Sequence, residues 1–355
     1  MAEKVLMKGN EAIAEAAIRA GCKMFFGYPI TPQTEVAAYM AKKLPKIEGG
    51  VFLQAESEVA AINMVYGAAG AGARVMTSSS SPGVSLKQEG ISYIAGSDLP
   101  CVVVNIVRGG PGLGGIQPAQ SDYFQATKGG GHGDYHLFVI APSSIQEVVD
   151  LTCHAFDVAD KYRVPAMIMG DGMLGQMMEP VVFPEQSGAA QIEKPWATTG
   201  TEMKRKHNIV NSLFIEPDEL EKLILERQKR YDAICENEVM VETVDCDDAD
   251  IILTAYGTIA RIAKTAKAIL AEKGIKAGVI RPITLWPFPV KAYQKAAQRG
   301  VPFLSVEMSM GQMVEDVRLA VNGKAPVHFY GRTGGMIPTP AAIAEEAVKI
   351  LGGDR

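Results

Sequence analysis

Short apolar runs separated by alanine-rich stretches of helical spacing set the plan of the chain. The runs at 23–27, 51–55, 74–79, 101–107, 137–141 and 165–170 are strand-length and continuously hydrophobic, which predicts parallel strands covered on both faces. The first helix is expected over 11–20, with Asn10 as N-cap and Gly21 as terminator. After Glu179-Pro180 the pattern gives way to polar, Pro- and Gly-containing sequence, a charged helix at 217–235 and an acidic run at 245–250. This reads as a connector. Alternation resumes with strands at 251–256, 276–280, 302–306 and 327–330 and helices over 259–272 and 290–298. The expected fold class is α/β, two doubly wound, mainly parallel-sheet domains: 1–183, a connector at 184–248, and a smaller domain at 249–355.

Four strand-end segments carry candidate chemistry, because open α/β sheets place their sites there. Tyr28-Pro29-Ile30-Thr31-Pro32 follows a strand and precedes a helix beginning near Gln33. Its prolines stiffen it, with Pro32 suited to the helix's first turn, so Thr31 either presents its hydroxyl to a ligand oxygen or caps the helix. Gln54-Ala55-Glu56-Ser57-Glu58 ends a buried-looking strand on an acid. Glu58 suits a helix dipole; Glu56 either does likewise or faces the crevice, where a partly desolvated carboxyl can share a proton with a heterocyclic nitrogen. The run Thr77-Ser78-Ser79-Ser80-Ser81-Pro82-Gly83 offers small hydroxyls for ligand contact or for capping, and lacks the lysine and glycine placement of a Walker loop. Arg108 opens the glycine-rich loop Gly109-Gly110-Pro111-Gly112-Leu113-Gly114-Gly115, where it either grips a carboxylate in bidentate fashion or forms a structural ion pair. Gly170-Asp171-Gly172 looks like the start of a metal-diphosphate motif, but the next asparagines, Asn208 and Asn211, lie too far along and in polar sequence, so Asp171 reads as a strand-end turn residue.

Composition narrows the classes. A chain of 355 residues, 47% hydrophobic and 21% charged, is a folded two-domain protein and not a disordered one. A net charge of −5 with no basic stripe leaves no footprint for nucleic acid. Met1-Ala2-Glu3-Lys4 leads into a folded pattern without a signal-peptide core, and no apolar run has spanning length, which predicts a cytoplasmic protein with no membrane partner. Cys22, Cys101, Cys153, Cys235 and Cys246 are scattered with no C-x-x-C, which predicts reduced thiols and neither a zinc site nor an iron–sulfur cluster in this chain. Electrons, if they flow, leave through another subunit.

The ordered set Tyr28-Pro-Ile-Thr-Pro, Gln54-Ala-Glu, Thr77 to Ser80, Pro82-Gly83 and Arg108-Gly-Gly-Pro-Gly resembles the α subunit of 2-oxoacid:ferredoxin oxidoreductases, over nearly the whole chain. The run from Gly109 to His136 is most similar to the branched-chain, 2-oxoisovalerate type. This resemblance implies a pyrimidine-binding domain for thiamine diphosphate followed by a transketolase C-terminal-like domain. It implies that Glu56 hydrogen-bonds the pyrimidine nitrogen, that Tyr28, Pro29, Ile30 and Ser80 contact the cofactor, and that Thr31 and Arg108 contact the substrate. It implies oxidative decarboxylation of a 2-oxoacid to acyl-CoA with reduction of ferredoxin, active only with partners. These are a β subunit holding the diphosphate and most of the magnesium contacts, a γ subunit, and a ferredoxin-like δ subunit; iron–sulfur clusters and coenzyme A belong to the assembled complex. Many relatives have glycine where Ser81 stands. The apolar loop around Leu113 and Ile116 favours a branched side chain over 2-oxoglutarate, for which Lys128 is the available cation. The competing reading is a non-catalytic α/β nucleotide-binding or scaffold module; a nicotinamide site is excluded by the lack of G-x-G-x-x-G.

Overall fold

Segments rich in Val, Ile and Met with no polar face can be satisfied only as strands covered on both sides. The computed structural model, which describes residues 4–184 and 192–352, places Cys101–Val107 and Pro165–Asp171 as parallel neighbours, buried along their whole length. They sit inside a seven-stranded sheet of order Thr284–Trp286, Phe138–Ile140, Pro165–Asp171, Cys101–Val107, Val75–Ser79, Met24–Gly27, Val51–Gln54. The N-terminal residues 1–3 and residues 185–191 of the connector lie outside the described residues.

Two local expectations are corrected. The strand Val51–Gln54 is not buried: it is the sheet's edge, with Val51 and Leu53 exposed, because no strand among the described residues pairs outside it. Nor does Asn10 cap the first helix, which runs Gly9–Arg19 from Lys8. Asn10 lies inside its first turn, buried, with Nδ2 donating to Pro32 O (2.8 Å) and Glu35 Oε2 (2.9 Å). Gly21 follows the helix at φ +84°, a conformation that favours glycine. Elsewhere capping follows the rules: Ser57 accepts the Ala60 N–H at the start of Glu58–Gly70, and Ser144 accepts the Glu147 N–H at the start of Ile145–Tyr162.

A second sheet has the order Val327–Gly331, Phe303–Glu307, Ile251–Thr254, Ala277–Pro282, Val241–Val244, the last strand antiparallel. Val241–Val244 falls in the expected connector, and Thr284–Trp286 returns from the second domain to pair antiparallel with Phe138–Ile140, so the chain weaves between its domains. Polar side chains reinforce the junction. Arg281 is buried and paired with Glu147 (2.7 Å) and Glu242 (2.7 Å), and Gln120 and Met308 exchange hydrogen bonds. Buried charge at such a contact is tolerated because both carboxylates and the guanidinium are fully partnered. None of the described helices is long and apolar enough to cross a membrane.

Candidate functional site

Parallel register brings the chemistry to one edge of the first sheet. Gly27 lies opposite Gln54, Ser79 opposite Asn105, and Val107 opposite Asp171, so the loops after these strands all leave its C-terminal end.

The Tyr28-to-Pro32 loop is supported from beneath. Gln33 Nε2 donates to Tyr28 O (3.3 Å), Gln33 Oε1 accepts from the Ser78 hydroxyl (2.5 Å), and Asn10 holds Pro32 O. The following helix is Thr34–Lys43 with Gln33 at its N-cap, so Pro32 precedes it and Thr31 does not cap it. Thr31 and Pro29 are exposed, Tyr28 and Ile30 half-buried.

The two neighbouring acids are separated by environment. Glu56 follows the edge strand and is exposed, so the desolvation expected of it is not supplied by this chain alone. Glu58 is the buried one, at 7% exposure. Its carboxylate lies against the first turn of the helix Pro82–Gly96: a Cβ on Gly83 would stand 2.7 Å from Glu58 Oε1 and 2.2 Å from Ser79 Oγ. Only glycine at 83 lets that carboxylate approach a positive helix end so closely. Behind it Lys87 is wholly buried, donating to Thr77 Oγ1 (3.0 Å); burial pushes its ammonium pKa down to about 8, against the charge of Glu58.

Ser79 and Ser80 are fully buried with unpartnered hydroxyls, and Ser81, at φ 25°, makes no side-chain cap. Arg108 is buried at 7% exposure. Its hydrogen bonds go to backbone carbonyls, Nη1 to Thr31 O (2.9 Å) and Nη2 to Leu113 O (3.1 Å), and its Nε is buried without a partner. Among the described residues no carboxylate pairs with it, so its partners are loop carbonyls and not the ion pair that is one of its two expected roles. Thr31 and Arg108, read from separate motifs, are thereby in direct contact. Asp171 is buried and committed: Oδ1 accepts from Met173 N (2.9 Å) and Leu174 N (3.0 Å), while Oδ2 accepts from Thr258. Lys128 is paired with Asp316. Two clefts, of about 460 and 520 Å³, are lined by residues such as Trp286, Phe288 and Asp247; Lys128 and Asp316 line the first, and neither includes Tyr28, Thr31, Glu56, Ser80 or Arg108.

Sequence reasoning missed Gln33, Asn10, Lys87 and Asn105 as supports. Asn105 carried a signal, being a polar residue inside an otherwise apolar strand.

The chain belongs to the pyruvate flavodoxin/ferredoxin oxidoreductases: residues 15–244 match the thiamine diphosphate-binding family and residues 249–343 match core domain II of pyruvate:ferredoxin oxidoreductase. Among curated relatives it is 51% identical over 330 residues to the ketoisovalerate oxidoreductase subunit VorB of Methanothermobacter marburgensis, covering 93% of each chain. It is 36% identical to the 2-oxoglutarate synthase subunit KorA of Methanothermobacter thermautotrophicus, covering 99% of this chain and 100% of that one. A solved 2-oxoglutarate:ferredoxin oxidoreductase from Magnetococcus marinus, with 2-oxoglutarate, coenzyme A and succinyl-CoA bound, superposes with TM-score 0.89 at 28% identity. That alignment covers 99% of this chain but 66% of the other, so this chain spans about two thirds of its length.

Proposed function

We propose that the chain is the cofactor-activating subunit of an oxidoreductase that decarboxylates a branched-chain 2-oxoacid, such as 2-oxoisovalerate, to an acyl-CoA and reduces ferredoxin. The observation that carries this reading is the meeting of Arg108 and Thr31 (2.9 Å) at the sheet edge that also presents Glu56. An uncompensated guanidinium suits a 2-oxoacid carboxylate, and the Thr31 hydroxyl a neighbouring oxygen.

The residues present fit the aminopyrimidine end of thiamine diphosphate: an exposed acid stands near a proline-stiffened loop, with the unpartnered hydroxyls of Ser79 and Ser80 buried in the adjoining turn. Glu56 would hold and move the proton at the pyrimidine nitrogen, with Tyr28, Pro29, Ile30 and Ser80 as its surroundings. Bound there, the cofactor supplies a carbon nucleophile for the 2-oxo group and an electron sink for decarboxylation. The commitment of both Asp171 oxygens to Met173, Leu174 and Thr258 supports a division of labour in which a β subunit holds the diphosphate and its magnesium. A γ subunit and a ferredoxin-like δ subunit complete the assembly in the cytoplasm, and the iron–sulfur clusters and coenzyme A belong to that assembled complex.

Substrate choice rests on the exposed apolar Leu113 and Ile116 and on Lys128 being already paired with Asp316. A second carboxylate would meet no free cation in this loop. The higher identity to a ketoisovalerate than to a 2-oxoglutarate relative points the same way. Measuring kcat/KM for 2-oxoisovalerate and 2-oxoglutarate on the assembled enzyme tests this; a clear preference for 2-oxoglutarate overturns it.

A further inference from the structure

Past Val107 the chain enters the loop Gly109-Gly110-Pro111-Gly112, which offers no side chain able to brace Arg108. The brace comes from the next strand end. Ser81 Oγ accepts from the Arg108 N–H (3.1 Å) and donates to the Arg108 carbonyl (3.2 Å), so one hydroxyl holds both polar groups of a single residue. Ser81 is itself held: its N–H donates to Asn105 Oδ1 (3.1 Å), and Asn105 Nδ2 donates to Asp122 Oδ2 (2.9 Å). Asn105 is fully buried in the strand that leads to Arg108, so the network closes on a rigid element.

The backbone makes this arrangement informative. Ser81 sits at φ 25° and ψ −84°, where side chains other than glycine are strained. A glycine would relax the turn but could not reach Arg108. We propose that Ser81 is a positioning residue for substrate capture, its hydroxyl clamping the Arg108 main chain so that the guanidinium is presented in one orientation to the 2-oxoacid carboxylate. This rests on the reading that Arg108 takes that carboxylate.

Ser81→Gly and Ser81→Ala in the assembled enzyme, with Arg108→Met beside them, test the proposal. Glycine suits the turn, so Ser81→Gly should fold with an unchanged or raised thermal midpoint. It should nevertheless raise KM for the 2-oxoacid by roughly 5- to 30-fold, the range for losing such hydrogen bonds, with kcat held within about twofold. Ser81→Ala keeps the strain and loses the clamp, so it should raise KM similarly and lower the midpoint. A wild-type KM in both serine variants while Arg108→Met raises it overturns the clamp, as does a loss confined to kcat. An unchanged KM in Arg108→Met instead overturns the carboxylate reading on which the clamp rests.

Discussion

Replacing Lys87 with methionine should remove a component of stability that grows with alkaline pH. Lys87 is fully buried, with Thr77 Oγ1 as hydrogen-bond acceptor, and its pKa falls from 10.5 to about 8 because burial outweighs the attraction of Glu58. A lysine whose folded value is depressed binds more protons when unfolded at pH values between about 8 and 10.5, so the folded state gains stability as pH rises through that window. The interval corresponds to about 3 kcal/mol, of which about 2 kcal/mol falls between pH 7 and 9.5. Methionine has a similar unbranched shape and no proton to lose. Urea unfolding of both proteins, followed by the fluorescence of Trp196 and Trp286, should therefore show the wild type gaining about 2 kcal/mol relative to the variant from pH 7 to pH 9.5. A flat difference would mean that Lys87 is as well solvated as a surface lysine. A difference that shrinks with pH would mean that the Glu58 charge outweighs burial and that the value is raised.

Glu56→Gln in the assembled enzyme should keep cofactor bound while slowing hydrogen–deuterium exchange at the thiazolium carbon by roughly 100- to 10,000-fold; an unchanged exchange rate would reduce Glu56 to a strand-end carboxylate. Glu58→Gln is its counterpart and should lower stability with little effect on that exchange, since its carboxylate lies at a helix end and not at the surface. The isolated chain should bind thiamine diphosphate weakly by calorimetry, because Asp171 is already committed to backbone N–H groups and Thr258. Tight magnesium-dependent binding without a partner would contradict that division of labour.

Most of the first sheet was legible because a strand covered on both faces writes itself as an unbroken apolar run, as at Cys101–Val107 and Pro165–Asp171. The same signal misleads at Val51–Gln54, where the apolar side chains are exposed at an edge. An apolar run reads alike whether its cover lies in the same chain or in another. Thr284–Trp286 was invisible for a different reason: three residues give no period, and its partner Phe138–Ile140 is distant in sequence. Lys87 was passed over because lysines are almost always solvated, so nothing local distinguishes one that a tertiary fold has enclosed.

The site divides along the same line. Local pattern could nominate Thr31, Glu56 and Arg108 as strand-end candidates but left each with a structural alternative, and only the resemblance of the ordered motifs to a known family gave them roles. What holds them is not local. Gln33 reaches Ser78 across 45 positions and Ser81 reaches Arg108 across 27; each is an ordinary polar residue until the parallel register sets adjacent strand ends side by side. Loops built from glycine and proline hold themselves only through backbone contacts such as Gly115 N–H to Gly109 O, because glycine brings no side chain and proline no N–H. Their order has to be imposed from the buried strands below, and the polar atoms that do so, Gln33, Ser78, Ser81 and Asn105, are the ones whose burial would otherwise be unfavourable. Polar residues inside the apolar strands and turns of a sheet that ends in Gly-Pro loops are therefore the places to look for positioning groups, and Asn105 is where this chain displays that signal most openly.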